Sequence, residues 1–237
     1  MKRLLSLVLC SVTFCGSLLA QDMTPVQILT VSEMPQAEKF LPDPPSQTDP
    51  LFFNDMVQYQ KGKQLRDTPR GAQAVEDAST KVAHYLKRFG EVMGREMTPE
   101  EYPCLASYVL SVYTAARQSI SSTKTYYSRM RPYQFFREPS STPEKEEVND
   151  FTSYPSGHTV RAWAVALALV SIDPEHQNEI LKTGYEIGQS RVIVGFHYQS
   201  DVDAARLAGS AAFARLSTEP VFQDLFQKAK AEFDAKK

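Results

Sequence analysis

Val160-Arg-Ala-Trp-Ala-Val-Ala-Leu-Ala-Leu-Val-Ser-Ile172 decides the fold. The run is apolar nearly all round, broken by Arg161, and a helix of that kind is buried on every side. At 13 residues it falls short of the roughly 20 that a bilayer demands, so it reads as the central helix of a soluble bundle. The flanking sequence supplies helices to surround it. Leu105 to Ile120 is rich in apolar residues and predicts a second, deeply buried helix. Ala72 to Met93 carries Ala74, Val75, Ala78, Val82, Tyr85, Leu86 and Phe89 at three- and four-residue spacing, the stripe of an amphipathic helix.

Helix starts are legible as well. Thr68-Pro69, Thr98-Pro99, Thr142-Pro143 and Asp173-Pro174 each place a capping side chain before a proline, the residue that suits a first helical position. Glu101, three residues after Thr98, completes the pattern of a capping box. No alternating strand pattern and no internal repeat is present. The expected fold is all-α, a single-domain helical bundle.

The amino-terminal end follows different rules. Lys2 and Arg3 precede an apolar run from Leu4 to about Ala20, the pattern of a secretory signal peptide cut before Gln21. Residues 21–50 are proline-rich and read as an extended arm. Without Lys2 and Arg3, 24 basic residues face 28 acidic ones, and a net charge of −4 argues against a dedicated nucleic-acid binder. Cys104 alone lies beyond the signal segment, so no internal disulfide and no cysteine-rich metal site is expected. It reads as a buried small hydrophobe.

Three clusters carry chemistry. Lys124 and Arg131 stand seven apart in Lys124-Thr-Tyr-Tyr-Ser-Arg-Met-Arg-Pro132, which on a helix puts two cations on one face, with Pro132 placing Arg131 near a helix end. Ser156, Gly157 and His158 precede the apolar helix; Ser156 can cap it, and Gly157 leaves its free amides open to an anion. His197 and Asp201 stand four apart, so the carboxylate can fix one imidazole nitrogen and leave the other's lone pair free, while Arg191 offers a two-pronged donor for phosphate oxygens. Singly, these are also what a solvated basic face, an ordinary cap and a structural His–Asp pair look like. Together they form a toolkit for phosphoryl transfer, which asks mainly for positioning and charge stabilisation.

The order Lys-x6-Arg-Pro, Pro-Ser-Gly-His, Ser-Arg-x5-His-x3-Asp, here Lys124 to Pro132, Pro155 to His158 and Ser190 to Asp201, resembles the type 2 phosphatidic acid phosphatase and vanadium haloperoxidase superfamily. Within it, Ser153-Tyr-Pro-Ser-Gly-His-Thr159, Arg191 to Arg206 and Arg70-Gly-Ala-Gln-Ala-Val-Glu-Asp-Ala78 resemble the class A bacterial non-specific acid phosphatases. The resemblance spans roughly residues 50–215 and makes residues 51–237 the expected acid phosphatase domain.

It implies His197 as nucleophile oriented by Asp201, and His158 as the acid for the leaving alcohol. It also implies Lys124, Arg131, Ser156, Gly157 and Arg191 as phosphate ligands. Thr152 stands where that class has glycine, a departure expected to touch loop shape and not chemistry. The expectation is a periplasmic or secreted enzyme acting on small phosphomonoesters, with broad specificity and transfer to acceptor alcohols as a side activity. Inorganic phosphate or vanadate should inhibit it, and the site has no carboxylate cage for a metal and calls for no cofactor. No membrane insertion is expected after signal removal, and a homo-oligomer is compatible with the sequence.

Other readings are weaker. A lipid phosphatase of the membrane needs several long apolar helices, and a vanadate-dependent haloperoxidase is usually a much longer chain. A non-catalytic phosphate-binding module would have lost His158, His197 or Asp201, and all three are present.

Overall fold

The computed structural model describes residues 23–236, so the expected signal peptide of residues 1–20 lies outside the described residues. Among the described residues ten α-helices account for most of the length, and no strand occurs. They are α1 (Pro50–Gln64), α2 (Pro69–Glu76), α3 (Val82–Gly90), α4 (Pro103–Gln118) and α5 (Ser121–Tyr127). The second half adds α6 (Pro132–Phe136), α7 (Gly157–Ile172), α8 (Gln177–Ile193), α9 (Gln199–Leu216) and α10 (Pro220–Ala235). The all-α bundle expected from the sequence is the observed architecture.

α7 runs through the middle. Val160, Ala162, Ala164, Val165, Ala166, Ala168 and Leu169 are fully buried. α8, α9 and α4 surround this helix, and α10 covers α4. Small side chains let the helices approach closely: a Cβ at Gly184 of α8 would stand 2.6 Å from the Ala166 Cβ of α7. Alanine at 184 would therefore force the two helices apart.

Capping chemistry explains several helix starts. Asp49 accepts the Leu51 amide at 2.8 Å ahead of Pro50. Thr68 accepts the Gly71 amide at 3.3 Å ahead of Pro69, and Ser156 accepts the Thr159 amide at 3.4 Å at the head of α7. Thr142-Pro143 and Asp173-Pro174 start single 3-10 turns, the latter leading into α8.

Two expectations fail here. No helix begins at Pro99, although the Thr98 hydroxyl accepts the Glu101 amide at 3.2 Å. Pro103 lacks the amide needed for a bond back to residue 99, and it disfavours helix at Tyr102, so α4 starts at Pro103 instead. The stripe from Ala72 to Met93 is two helices, α2 and α3. Between them Asp77 turns inward, wholly buried, to accept from the Ser190 hydroxyl at 2.6 Å, Gln73 at 3.2 Å and Arg88 at 3.3 Å.

The amino-terminal arm is irregular but packed. Ile28, Leu29, Met34, Ala37 and Leu41 are buried in the main core. The Val26 amide donates to Ser111 at 2.9 Å, and the Tyr154 hydroxyl donates to the Pro42 carbonyl at 2.5 Å. Cys104 is half-buried at the head of α4, not fully buried as expected, because that turn lies near the surface under Glu232, which accepts the Cys104 amide.

Candidate active site

α8 ends at Ile193, and Gly195, at φ +80°, turns the chain back, a left-handed conformation that glycine adopts without strain. The Arg191 carbonyl then accepts the amides of Phe196 at 3.0 Å and His197 at 3.2 Å. This return loop sets His197 beside the last turn of α8, where Arg191 sits. Asp201 lies in the first turn of α9, so the pair expected on one helical face instead spans the start of that helix.

His197 Nδ1 and Asp201 Oδ2 are 3.3 Å apart. The same carboxylate accepts from the Ser153 hydroxyl at 2.6 Å, the Tyr198 amide at 2.9 Å and Arg129 Nη1 at 2.6 Å. Burial opposes its ionisation, but Arg129 and then the His197 and Ser153 hydrogen bonds outweigh it and hold Asp201 well below the usual carboxylate range. An ionised carboxylate only accepts, so Nδ1 carries the imidazole proton and Nε2 keeps its lone pair. Burial, then the charge of Arg131, pushes His197 down to about 3, so the ring is neutral at ordinary pH.

Arg131 Nη1 lies 3.1 Å from that Nε2, and its Nη2 bonds the Thr152 carbonyl at 3.3 Å and hydroxyl at 3.2 Å. Lys124 also donates to the Thr152 carbonyl. The two cations thus converge, though not by sharing a helix face. α5 stops at Tyr127 because Ser128 is left-handed (φ 46°), and Arg131 is extended ahead of Pro132. Thr152 does more than shape a loop: its hydroxyl bridges Arg131 and Asp150, donating to the latter at 2.5 Å. Against its burial, Thr152 and Arg131 hold Asp150 at about 2. Burial, then Arg131 and Arg117, pulls Lys124 well below the ordinary lysine range.

Arg191 differs from every neighbour. It is 0% exposed, and Nε, Nη1 and Nη2 all lack a hydrogen-bond partner. Its guanidinium carbon lies 4.9 Å from the centre of the Phe196 ring, over which Arg131 also lies, at 4.6 Å. Buried donors without acceptors are costly, and three on one planar fork match the oxygens of a tetrahedral anion. At the head of α7, the Ser156 hydroxyl accepts from Thr159 Oγ1 at 2.9 Å, which leaves its own proton to donate. Gly157 offers a free first-turn amide.

His158 Nε2 is 3.3 Å from the Ala78 carbonyl, which also accepts Lys145 Nζ at 2.7 Å. A carbonyl cannot donate, so Nε2 carries a proton and Nδ1 is the nitrogen free to exchange one. Burial, then Arg191 and Arg161, lowers His158 well below the ordinary histidine range. An anion among these cations would raise it again.

All eight residues singled out from the sequence lie at the heads of α7 and α9, at the end of α8, or on α5 and the loop that follows it. Two supporting residues have no role in the sequence reading, Arg129 and Ser153, although each stands inside a quoted motif, and Thr152, expected to affect loop shape alone, bonds Arg131 and Asp150. Ser190 belongs to a motif but serves the buried Asp77. Outside the motifs, His84 pairs with Asp77 at 3.3 Å and His176 with Asp173 at 2.8 Å. A cavity of about 990 Å³ beside α3 and the turn at 91–100 touches neither histidine of the site.

The chain is also similar to known proteins. The PAP2 superfamily model matches residues 104–220. A non-specific acid phosphatase from Providencia stuartii is 44% identical over 195 residues, 81% of this chain and 79% of that protein. One from Salmonella typhimurium is 38% identical over 206 residues, 86% of this chain and 82% of that protein. An acid phosphatase from Zymomonas mobilis is 31% identical over 196 residues, 82% and 74% of the two chains.

Proposed function

The chain belongs to the PAP2 superfamily, among the bacterial non-specific acid phosphatases, and on that premise we propose that it hydrolyses phosphomonoesters through a covalent phosphohistidine on His197. The observation that carries the proposal is the wholly buried, unpartnered guanidinium of Arg191 beside a histidine whose tautomer a buried carboxylate sets.

In the proposed reaction Arg191, Arg131, Lys124, the Ser156 hydroxyl and the Gly157 amide hold the three non-bridging oxygens. Arg131 releases the His197 lone pair as a phosphate oxygen competes for its Nη1 proton. His197 Nε2 then attacks phosphorus as the ester P–O bond breaks, and His158 passes its Nδ1 proton to the leaving alcohol. His158, now neutral, takes a proton from water. The hydroxide attacks phosphorus, the P–N bond breaks, and inorganic phosphate leaves with His197 restored. The developing charge is met by fixed cations and amides, which is where most of the acceleration arises.

No three histidine, cysteine, aspartate or glutamate side chains among the described residues gather as a metal-binding group, and the proposed steps use none. Broad specificity, transfer to alcohols and inhibition by phosphate or vanadate follow from a site that grips the phosphoryl group. Residues 2–20 support export to the periplasm or medium. No described helix is long and apolar enough to cross a membrane.

Rapid denaturant quench with labelled substrate, alkaline workup and peptide mapping tests the central step. Label is expected on His197, and His197→Ala is expected to form none. Label on His158, or wild-type turnover from His197→Ala, would overturn the assignment. Dialysis against a chelator should leave the rate intact; a loss reversed by one added metal would contradict the metal-free mechanism.

A further inference from the structure

Two arginines outside the three motifs lie at the head of α7, Arg117 beside Gly157 and Lys124, and Arg161 one turn beyond His158. Arg161 follows His158 by three residues on α7, so the two side chains leave one helical face. Its guanidinium carbon lies 4.4 Å from the centre of the Tyr113 ring, and its Nε is buried without a hydrogen-bond partner. Arg117, on α4, packs against the head of α7: a Cβ at Gly157 would stand 2.9 Å from Arg117 Nε and 3.6 Å from Lys124 Cε. It donates to Ser121 Oγ at 3.4 Å.

Among the described residues neither guanidinium forms an ion pair, whereas Arg129, Arg131, Arg88 and Arg206 each have a carboxylate. The two are electrical neighbours of each other and of the catalytic groups. Burial and then Arg161 lower Arg117, while Arg161 also contributes to lowering His158.

Two uncompensated cations at the head of α7, one of them a turn from the proposed general acid, are more than one phosphoryl group needs, because Lys124, Arg131 and Arg191 already supply its charge. We propose that Arg117 and Arg161 form a second anion subsite, and that the preferred substrates are phosphomonoesters whose leaving group carries its own phosphate or carboxylate. This inference rests on the assignment of His158 to the leaving group. An anion on the leaving group would be attracted by both guanidinium groups, and it would offset Arg161's pull on His158, favouring the protonated acid.

The test is a set of small alkyl phosphates differing in the charge of the leaving group, assayed as kcat/KM. Ethyl phosphate has a neutral leaving group, phosphoethanolamine a cationic one, phosphoglycolate a carboxylate, and ethylene glycol bisphosphate a phosphate. The last two separate the sources of negative charge. In the wild type the anionic members are expected to exceed ethyl phosphate by about tenfold, and phosphoethanolamine to fall below it, as a pair of partly screened charges would give.

Arg161→Leu is expected to reduce the anionic-to-neutral ratio about tenfold, mainly through KM, and Arg161→Lys to retain most of it. Arg117→Leu should act in the same direction, which keeps the test intact if one variant folds poorly. The same ratio in wild type and both leucine variants would overturn the subsite while leaving phosphatase activity in place. Absence of hydrolysis of every member by the wild type would instead contradict the underlying assignment, and the subsite with it.

Discussion

Arg129 and Arg191 are both removed from solvent, and the protein treats them in opposite ways. Arg129 bonds Asp201 Oδ1 at 2.6 Å and Asp55 Oδ2 at 2.9 Å, and lies 4.2 Å over the Tyr198 ring. Despite burial, these carboxylates raise its proton affinity. Arg191 has no carboxylate and no acceptor on any of its three nitrogens, and burial followed by Arg131 lowers its proton affinity. Arg129 is a finished ion pair that holds the start of α9 against α1. Arg191 is an unfinished one, with its binding capacity reserved for a ligand. Buried charge is a structural element where it is paired and a functional one where it is not.

Asp201 joins the two regions, since it serves Arg129 with one oxygen and His197 with the other. Asp201→Asn is the largest expected loss. The amide can donate to Nδ1 and reverse the tautomer, so kcat should fall by about 10³–10⁴-fold with the helical content retained. A pre-steady-state phosphorylation rate within a few-fold of wild type would break the link between the two arginines.

Next comes Arg129→Met. It leaves Asp55 and Asp201 buried without their shared cation, so urea unfolding should report a loss of about 3–5 kcal/mol. Stability within 1 kcal/mol of wild type would show that Arg129 is not the structural member of the pair.

The smallest effect concerns pH. Burial and Arg131 push His197 down to about 3, so in the folded state it stays neutral near pH 6, whereas in the unfolded chain it is mostly protonated; burial shifts His158 in the same direction. A histidine whose folded value is depressed stabilises above its unfolded value of about 6.5, and that stability is lost as pH falls from there toward 3. Between pH 6.5 and 5, His197 alone should lower the unfolding free energy by about 1.6 kcal/mol, and His197→Asn should flatten the slope. An equal slope in wild type and variant would show that His197 is not held neutral.

Much of this was legible beforehand, and what was not has physical reasons. The central helix could be read because an all-round apolar run has one home in a small protein, and the motif residues because few other functions need them together. The break after α2 was hidden because it depends on Asp77 finding Ser190, more than a hundred residues away. Thr98-Pro99 misled because its capping bond forms, while Pro103 stops the helix behind it. Lys124 and Arg131 were rightly brought together by a wrong route, since a left-handed serine ends the helix they were expected to share. Arg129 stands two residues from Arg131 in the sequence, yet no local pattern separates an arginine that meets two carboxylates from one that meets a ligand. Arg161 was visible as the one charge interrupting the central helix, but its lack of a partner belongs to three dimensions.

The contrast is tested most directly by thermal unfolding of Arg191→Met with and without inorganic phosphate. Replacing an unpaired buried cation with an apolar side chain of similar length removes a desolvation cost. Without phosphate the variant should therefore melt at or above the wild-type temperature, with kcat/KM reduced about 10³-fold. Added phosphate should raise the wild-type melting temperature and leave the variant's where it was. A variant that melts lower without phosphate, yet still gains the wild-type increment with it, would contradict the account: Arg191 would then be part of the frame, and the anion would bind elsewhere.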